Sequence, residues 1–213
     1  MFKKTLKNIN LILNSGEQNQ LDEWLNQLAR LSVVITKERK TYIDKLSSIL
    51  NENSSEEFLG LIDPHLDFVF NLNSGWPKDL DSLDENKIIT YLLSSKKALF
   101  KSKHLNYGPH RASVDFYLNN QHEGYLSRGE QKKMSIIFWM LQVLLLAKNG
   151  RKPVVLIDDI SSELDETKIK SITDFLTKVK VQIFMTDIGN KKLPLSDQNS
   201  TSYNIENGAI TRL

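Results

Sequence analysis

The chain has no cysteine, which excludes disulfides and thiolate metal sites and is compatible with a cytosolic setting. It has no uninterrupted apolar run of about 18 residues, so no membrane span is expected. Met1-Phe2-Lys3-Lys4 is basic, but the residues that follow are too polar for a signal peptide. An excess of one charge is missing too, since 28 basic residues face 26 acidic ones for a net +2. Such a balance does not announce a nucleic-acid binder, although it leaves room for a local basic patch. Histidine is scarce, and His65, His104 and His122 have no partners at metal-ligand spacing, so they read as surface or packing residues. No internal repeat or low-complexity tract is evident.

What remains is an ordinary globular composition, 40% apolar and 25% charged, over 213 residues. That length suffices for one sizeable core, or for a domain with a helical appendage. Phe2, Leu6, Ile9 and Leu13 fall at helical spacing, and Asn14-Ser15-Gly16 reads as a stop. From Leu21 to Leu50 apolar residues recur at three, four or seven, which predicts one long amphipathic helix. A hairpin or bundle arm fits it better than a coiled-coil seam, because Glu38 and Arg39 interrupt the stripe. The polar stretch Asn51 to Glu57 is the candidate boundary, giving a helical part over 1–57 and an α/β part over 58–213.

Within the second part, Phe68, Phe70 and Leu72 alternate as a strand over Asp67 to Asn73, and Ser74-Gly75-Trp76-Pro77 is a turn. Asp84 to Lys101 reads as a helix with Asp84 as its N-cap. Tyr107-Gly108-Pro109-His110-Arg111 leads into a strand at Val114, Phe116 and Leu118, and Asn119 to Gly124 closes a hairpin. A histidine beside a proline is more often structural than catalytic. Lys148 to Pro153 reads as a solvated basic connection with a helix C-cap. Asp165 to Val179 predicts a helix, Val181 to Asp187 a strand of the buried type, and Asn207-Gly208 a hairpin turn.

The chemistry concentrates in two stretches. The first is Tyr125-Leu126-Ser127-Arg128-Gly129-Glu130-Gln131, which opens a buried helix over Met134 to Ala147. The second is Val154-Val155-Leu156-Ile157-Asp158-Asp159, an apolar strand ending in two carboxylates. A helix N-terminus offers N–H groups to an anion, and carboxylates offer oxygen ligands to Mg²⁺. Taken singly each stretch has a bland counterpart. Ser127 with Glu130 three residues on is a capping box, and buried strands ending in Asp are common in α/β proteins. The conjunction is sharper, because Ile160-Ser161-Ser162-Glu163-Leu164-Asp165, a helix and a second strand follow.

That series resembles the C-terminal half of an ABC-type ATPase head. Leu126-Ser127-Arg128-Gly129-Glu130 is similar to the signature motif, Val154 to Asp159 to the Walker B strand, and Ser162-Glu163-Leu164-Asp165 to the D-loop. With Tyr107-Gly108-Pro109-His110-Arg111 upstream, and Arg rather than Gly at position 128, the likeness narrows to the RecF family, bacterial recombination-repair ATPases related to SMC-type heads. The resemblance runs from roughly Lys4 to the C-terminus and is specific in the second half. It implies an α/β fold, a P-loop-type mixed sheet flanked by helices, with the helical first part as the family's inserted subdomain.

The resemblance also implies roles. Asp158 would help hold Mg²⁺, and Asp159 stands where the family's catalytic carboxylate orients or deprotonates the attacking water. Ser127, Arg128, Gly129 and Glu130 would meet the γ-phosphate of ATP held by an opposing subunit, so the site is composite and ATP joins a homodimer. Ser162 and Asp165 would lie at the same seam, and Asp187 occupies the switch position, where transporter-type heads have His. Gly108, Pro109, His110 and Arg111 are a family motif to which no chemical step is assigned.

The loop that grips the phosphates, G-x-x-x-x-G-K-[ST], does not occur in this sequence. Gly124 and Gly129 have the spacing, but Glu130 stands where lysine is required and would repel phosphate. The expectation is therefore a RecF-like sequence without the family's first half, inactive as an ATPase by itself. The intact family member would dimerise with ATP on double-stranded DNA near single-strand gaps, with RecO and RecR as partners and no membrane. Two other readings compete, a transporter ATPase or other SMC-like head, and a non-enzymatic interaction module. Arg128, the Gly-Pro-His-Arg stretch and the long helix argue against the transporter.

Overall fold

The computed structural model describes residues 1–16, 19–52, 67–188 and 200–212. The chain divides into two units, residues 1–48 with 67–127 and residues 49–66 with 128–213. The boundary expected at residue 57 and the reading of His65 lie outside the described residues.

In unit 1 the periodic segments form as the spacing predicts. Helix α1 (Phe2–Ser15) buries Thr5, Ile9 and Leu13, and ends at Gly16, whose φ of 78° is left-handed and costs glycine little. Helix α2 (Leu21–Glu52) buries Leu21, Leu25, Leu28 and Ala29 along one stripe, and its last residues belong to unit 2. These side chains close a core with Trp76, Ile88, Leu92, Leu99 and Leu105. Asp84 does cap a helix, accepting from the N–H groups of Asn86 and Lys87.

That helix is shorter than the pattern suggests. Residues 84–101 form two helices, α3 (Glu85–Ser94) and α4 (Lys96–Ser102). Ser95 between them has ψ near 0°, and the Ser94 hydroxyl donates to the Tyr91 carbonyl. Serine hydroxyls that bond the preceding turn compete with the helical ladder, and here the helix breaks.

Strand β1 (Phe68–Asn73) pairs antiparallel with β2 (Ser113–Leu118), so the partner of the first strand lies about forty residues away rather than beside it. The register sets Phe70 opposite Phe116 and Phe68 opposite Leu118, gathering the aromatic rings on one face. Asn119 and Asn120, both at positive φ, turn β2 into the short β3 (Gln121–His122).

Unit 2 carries helix α5 (Arg128–Lys148), which begins six residues before the apolar run at Met134 and buries Ile137, Met140, Leu141 and Leu144. Strand β4 (Val154–Ile157) pairs in parallel with β5 (Gln182–Met185), Leu156 opposite Phe184. The connection runs through α6 (Ile160–Glu163) and α7 (Glu166–Lys178). Asn207 and Gly208, at φ 49° and 81°, turn strand β6 (Tyr203–Glu206) into β7 (Ala209–Arg212), as the dipeptide predicts.

The expectation of buried strands needs correction. Val155 is buried, but on the other face Val154, Leu156 and Phe184 are 54%, 74% and 55% exposed. A continuous apolar run implies cover on both faces, and among the described residues this two-stranded sheet has it on one.

Candidate functional site

Strand β4 ends at Ile157, and the chain turns at once through Asp158 and Asp159 into α6. Both carboxylates thus stand at the carboxyl end of a parallel strand, where open α/β sheets place their ligands. Asp159 adopts φ 47°, ψ 56°, a left-handed conformation that Asp tolerates better than most residues but that still strains the turn.

The turn is tied to the neighbouring strand by one residue. Thr186, just past β5, donates its hydroxyl to Asp158 Oδ1 and accepts from the Asp159 N–H at 2.9 Å. Its backbone adds two bonds, Thr186 N–H to the Ile157 carbonyl at 2.9 Å and the Ile160 N–H to the Thr186 carbonyl at 3.1 Å. Asp187, expected at the switch position, accepts from the Ser161 hydroxyl. Asp187 is therefore an acceptor turned toward α6, and a carboxylate cannot supply the donor that histidine supplies in transporter heads. The sequence reading missed Thr186 and Ser161. The available signal was a hydroxyl immediately beyond the strand that pairs with the Asp-bearing one.

Farther along, Asp165 caps α7. Its Oδ1 accepts from the Lys168 N–H at 3.0 Å, and Lys168 Nζ lies 2.5 Å from Oδ2. The Lys168 hydrogen bond holds the exposed Asp165 carboxyl below the usual carboxylate range. Ser162 lies within α6, and its side chain is outside what is described.

Ser127 immediately precedes α5, and Arg128, Gly129 and Glu130 form the first turn of that helix. Ser127, Arg128 and Gly129 are exposed. Ser127 and Glu130 each interact with another group of the chain. A methyl group added at Gly129 would meet nothing within 4 Å, so no steric demand of this fold requires glycine there. Gly129, Lys132, Lys133 and Ile136 share a groove of about 140 Å³ with Leu164 and Lys168. The start of α5 thus faces the end of the Ser162–Asp165 stretch, and the wall between them is basic.

Whether these residues suit Mg²⁺ follows from the donor set. Among the described residues no three His, Cys, Asp or Glu side chains converge as a metal cage. Mg²⁺ in phosphate-transfer sites needs no such cage, because one or two carboxylates suffice when waters and phosphates complete the shell. Asp158 is exposed, with one oxygen fixed by Thr186. It fits as that single protein ligand, and a metal bound there would neutralise charge on a phosphate.

The Gly108–Arg111 motif belongs to unit 1 and is built as a knot. A Cβ on Gly75 would stand 2.2 Å from the Gly108 carbonyl oxygen, and Gly108 N–H donates to the Gly75 carbonyl at 2.9 Å. Arg39 of α2 reaches the Pro109 carbonyl at 2.5 Å. His110 Nε2 lies 3.1 Å from the Leu105 carbonyl, while its Nδ1 is buried with no partner. Burial, with Arg111 adding to it, lowers the His110 pKa below the ordinary histidine value, although the Leu105 bond opposes the shift. His110 is half-buried within this knot, and Arg111 is exposed. Likewise His104 is exposed with Nδ1 on the Ser102 carbonyl, and His122 caps the Gly124 N–H.

A helix opening at Ser127–Glu130, a strand ending in paired carboxylates, a helix capped by Asp165 and a parallel partner strand fit the C-terminal half of an ABC-type ATPase head, and the fold as a whole matches that class. No protein-family model matches the chain. Within the class the chain is similar to RecF proteins, matching their C-terminal part. It is 30% identical over 216 residues to the DNA replication and repair protein RecF of Carboxydothermus hydrogenoformans, covering 99% of this chain and 57% of that protein. The RecF of Geotalea uraniireducens is 25% identical over 221 residues, covering 98% and 58%. Among solved structures, the recombination mediator protein RecF with ATP, of the RecFOR pathway, matches at a TM-score of 0.73 with 25% identity. That match covers 100% of this chain and 56% of that one. The chain therefore spans somewhat over half the length of these relatives.

Proposed function

We propose that this chain is the signature and Walker B part of a RecF-type ATPase that works in DNA replication, recombination and repair. The observation that carries the proposal is the Asp158–Asp159 turn locked by Thr186 at the end of a parallel strand pair, in a chain related to RecF throughout. Asp159 is the carboxylate that orients or deprotonates the attacking water, and Asp158 is the Mg²⁺ ligand. Ser127, Arg128, Gly129 and Glu130 meet the γ-phosphate of ATP held by a second subunit, with Ser162 and Asp165 beside them at the seam. Asp187 positions α6 through Ser161 rather than acting as a switch donor. ATP then joins two subunits on gapped duplex DNA, and RecO and RecR are the loading partners.

The chain alone is proposed to be inactive toward ATP, since no G-x-x-x-x-G-K-[ST] loop occurs in it. Without that loop the two carboxylates meet incoming triphosphate as negative charges. The test is reconstitution with a polypeptide carrying the phosphate loop of a RecF protein. Turnover should appear with both partners present, and Asp159→Asn should slow it by roughly 10²-fold or more, the usual worth of a positioned base. Ser127→Arg should abolish ATP-driven dimers and spare ATP binding. Metal-dependent turnover by the 213-residue chain alone, lost in Asp158→Ala, would overturn the assignment.

A further inference from the structure

The chain as a whole is nearly neutral, but its cations are not evenly spread. From Met1 the first carboxylate is Glu17, and between Glu85 and Asp115 there is none. These two acid-free stretches lie side by side in unit 1. Asn14 donates to the Lys103 carbonyl at 3.1 Å, and the Leu105 N–H donates to Asn10 at 3.1 Å. At the other end of α1 the Phe2 ring lies 6.2 Å from that of His110. Helix α1 therefore runs along the 103–111 segment, starting beside Arg111 and ending beside Lys103.

Lys3, Lys4 and Lys7 of α1 are exposed, as are Lys97, Lys101, Lys103 and Arg111. None of the seven takes part in an ion pair among the described residues. Neighbouring cations of the same unit do, as Arg30 with Glu85, Lys87 with Asp81 and Lys96 with Asp22 show. A shallow groove follows α1 between Lys3, Lys7 and Asn14. The helix has 14 residues, so the row is on the order of 20 Å long. That length corresponds to about six steps of the duplex along its axis, at ~3.4 Å each.

We propose that this basic face of unit 1, α1 with residues 97–111, docks the phosphate backbone of duplex DNA. The proposal rests on the DNA-repair reading and adds to it a surface remote in sequence from the signature and Walker B stretches. Protein interfaces are depleted in lysine, whereas a row of lysines is the usual footprint of a polyanion. Lysine meets phosphate as a point charge and reads no base, so binding is independent of sequence. The tight Gly75–Gly108 knot gains a purpose on this reading, because it fixes Arg111 at the end of the row.

The test is duplex binding by the 213-residue chain between about 50 and 200 mM salt, where each phosphate contact adds roughly 0.9 to the slope of log affinity against log salt. Lys3→Glu, Lys7→Glu, Lys101→Glu and Lys103→Glu together should lower affinity at least tenfold and flatten the slope. Lys40→Glu with Lys45→Glu, exposed on α2, should change little. Amine acylation of the unsubstituted chain provides a second measurement independent of variant folding. Duplex should protect Lys3, Lys7 and Lys101 and leave Lys40 and Lys45 reactive. Duplex binding with an unchanged slope and no protection would overturn this surface while the DNA reading stands. No duplex binding at about 50 mM salt, or capture of an acidic protein in its place, would overturn the surface as well. The ATPase reading is judged separately, by the reconstitution above.

Discussion

In unit 1 the apolar side chains close on one another. Ile9, Leu25, Leu28 and Ile88 are wholly shut from solvent, and α1 to α4 each bring at least one buried residue. In unit 2 the strand pair that carries Asp158 and Asp159 shows Val154, Leu156 and Phe184 to solvent, and hairpin β6–β7 shows Tyr203, Ile205 and Ile210. The two units therefore hold their motifs by different means. The Gly108–Arg111 knot in unit 1 is fixed by close packing of backbone on backbone, with hydrogen bonds inside that packing. The carboxylate turn in unit 2 is fixed by polar bonds converging on Thr186. A motif held by packing is coupled to the stability of its unit. A motif held by a few polar bonds can be altered without unfolding anything, which is where chemistry tolerates strain such as Asp159 at positive φ.

The largest expected effect sets one unit against the other directly. Leu28→Ala should cost about 2–5 kcal/mol, the range for a large side chain removed from a closed core. Leu156→Ala should stay within about 0.5 kcal/mol, because that side chain is already in water. Urea unfolding of both variants measures the contrast. A large loss for Leu156→Ala would show that another copy or another segment covers β4 in solution, and the comparison would break there.

Two glycines sharpen the same comparison. Gly75 has φ 79°, and an added Cβ would collide with the Gly108 carbonyl and the Ala112 N–H. Gly75→Ala should cost about 2 kcal/mol or more, from backbone strain and overpacking together. Gly129, in the first turn of α5, has open space around it. Gly129→Ala should leave stability unchanged or raise it by up to about 1 kcal/mol, since alanine is the better helix former. If Gly129→Ala abolishes ATP-driven dimerisation in the reconstituted assay while the fold stays intact, glycine is there for a partner's approach.

How much of this was legible in the sequence follows from the range of each interaction. The periodicity of α1 and α2, the Asp84 cap and the Asn207-Gly208 turn are local, and the residues involved state them. The break at Ser95 is also local, but a single serine inside an apolar period carries too weak a signal. Pairing of β1 with β2 joins segments about forty residues apart, and no pattern within either strand announces the partner. Apolar runs at Val154 and Val181 report what the sequence is able to bury, not what the described residues cover. The carboxylates were legible as a pair. Their tie to Thr186 was not, because it depends on the parallel register of β4 on β5.

A smaller effect is expected at that tie. Thr186→Val keeps the shape and removes the hydroxyl that donates to Asp158 and accepts from the Asp159 N–H. The loss should be about 0.5–1.5 kcal/mol, the net worth of such bonds, and toward the low end because Thr186 is exposed. Amide exchange should report it at Asp159 and Ile160 before it appears in global unfolding. Unchanged exchange at both amides would remove Thr186 as the residue that sets the turn, and packing would then have to hold unit 2's motif as it holds unit 1's.

The smallest effect is a pH dependence confined to unit 1. The Leu105 carbonyl can only accept, so His110 Nε2 carries the proton and Nδ1 is left bare, buried and without a donor. Charging the ring would place a new N–H inside the knot with no acceptor, close to Arg111. Burial of the ring, with Arg111 adding to it, holds the folded-state pKa below the unfolded value of about 6.5 against the opposing Leu105 bond. At pH near the unfolded pKa the unfolded chain binds more protons than the folded one, so stability rises with pH there. The stabilising contribution of the neutral ring is fully present above about pH 6.5 and is lost progressively as pH falls through that value and toward the folded pKa. His110→Gln can keep the bond to Leu105 and cannot titrate. Its unfolding midpoint should fall less steeply from pH 7.5 to 5.5 than that of the unsubstituted chain, by a modest margin because the ring is only half-buried. Identical slopes for the two proteins would mean that His110 already titrates freely, and that the knot is open enough to admit water at Nδ1.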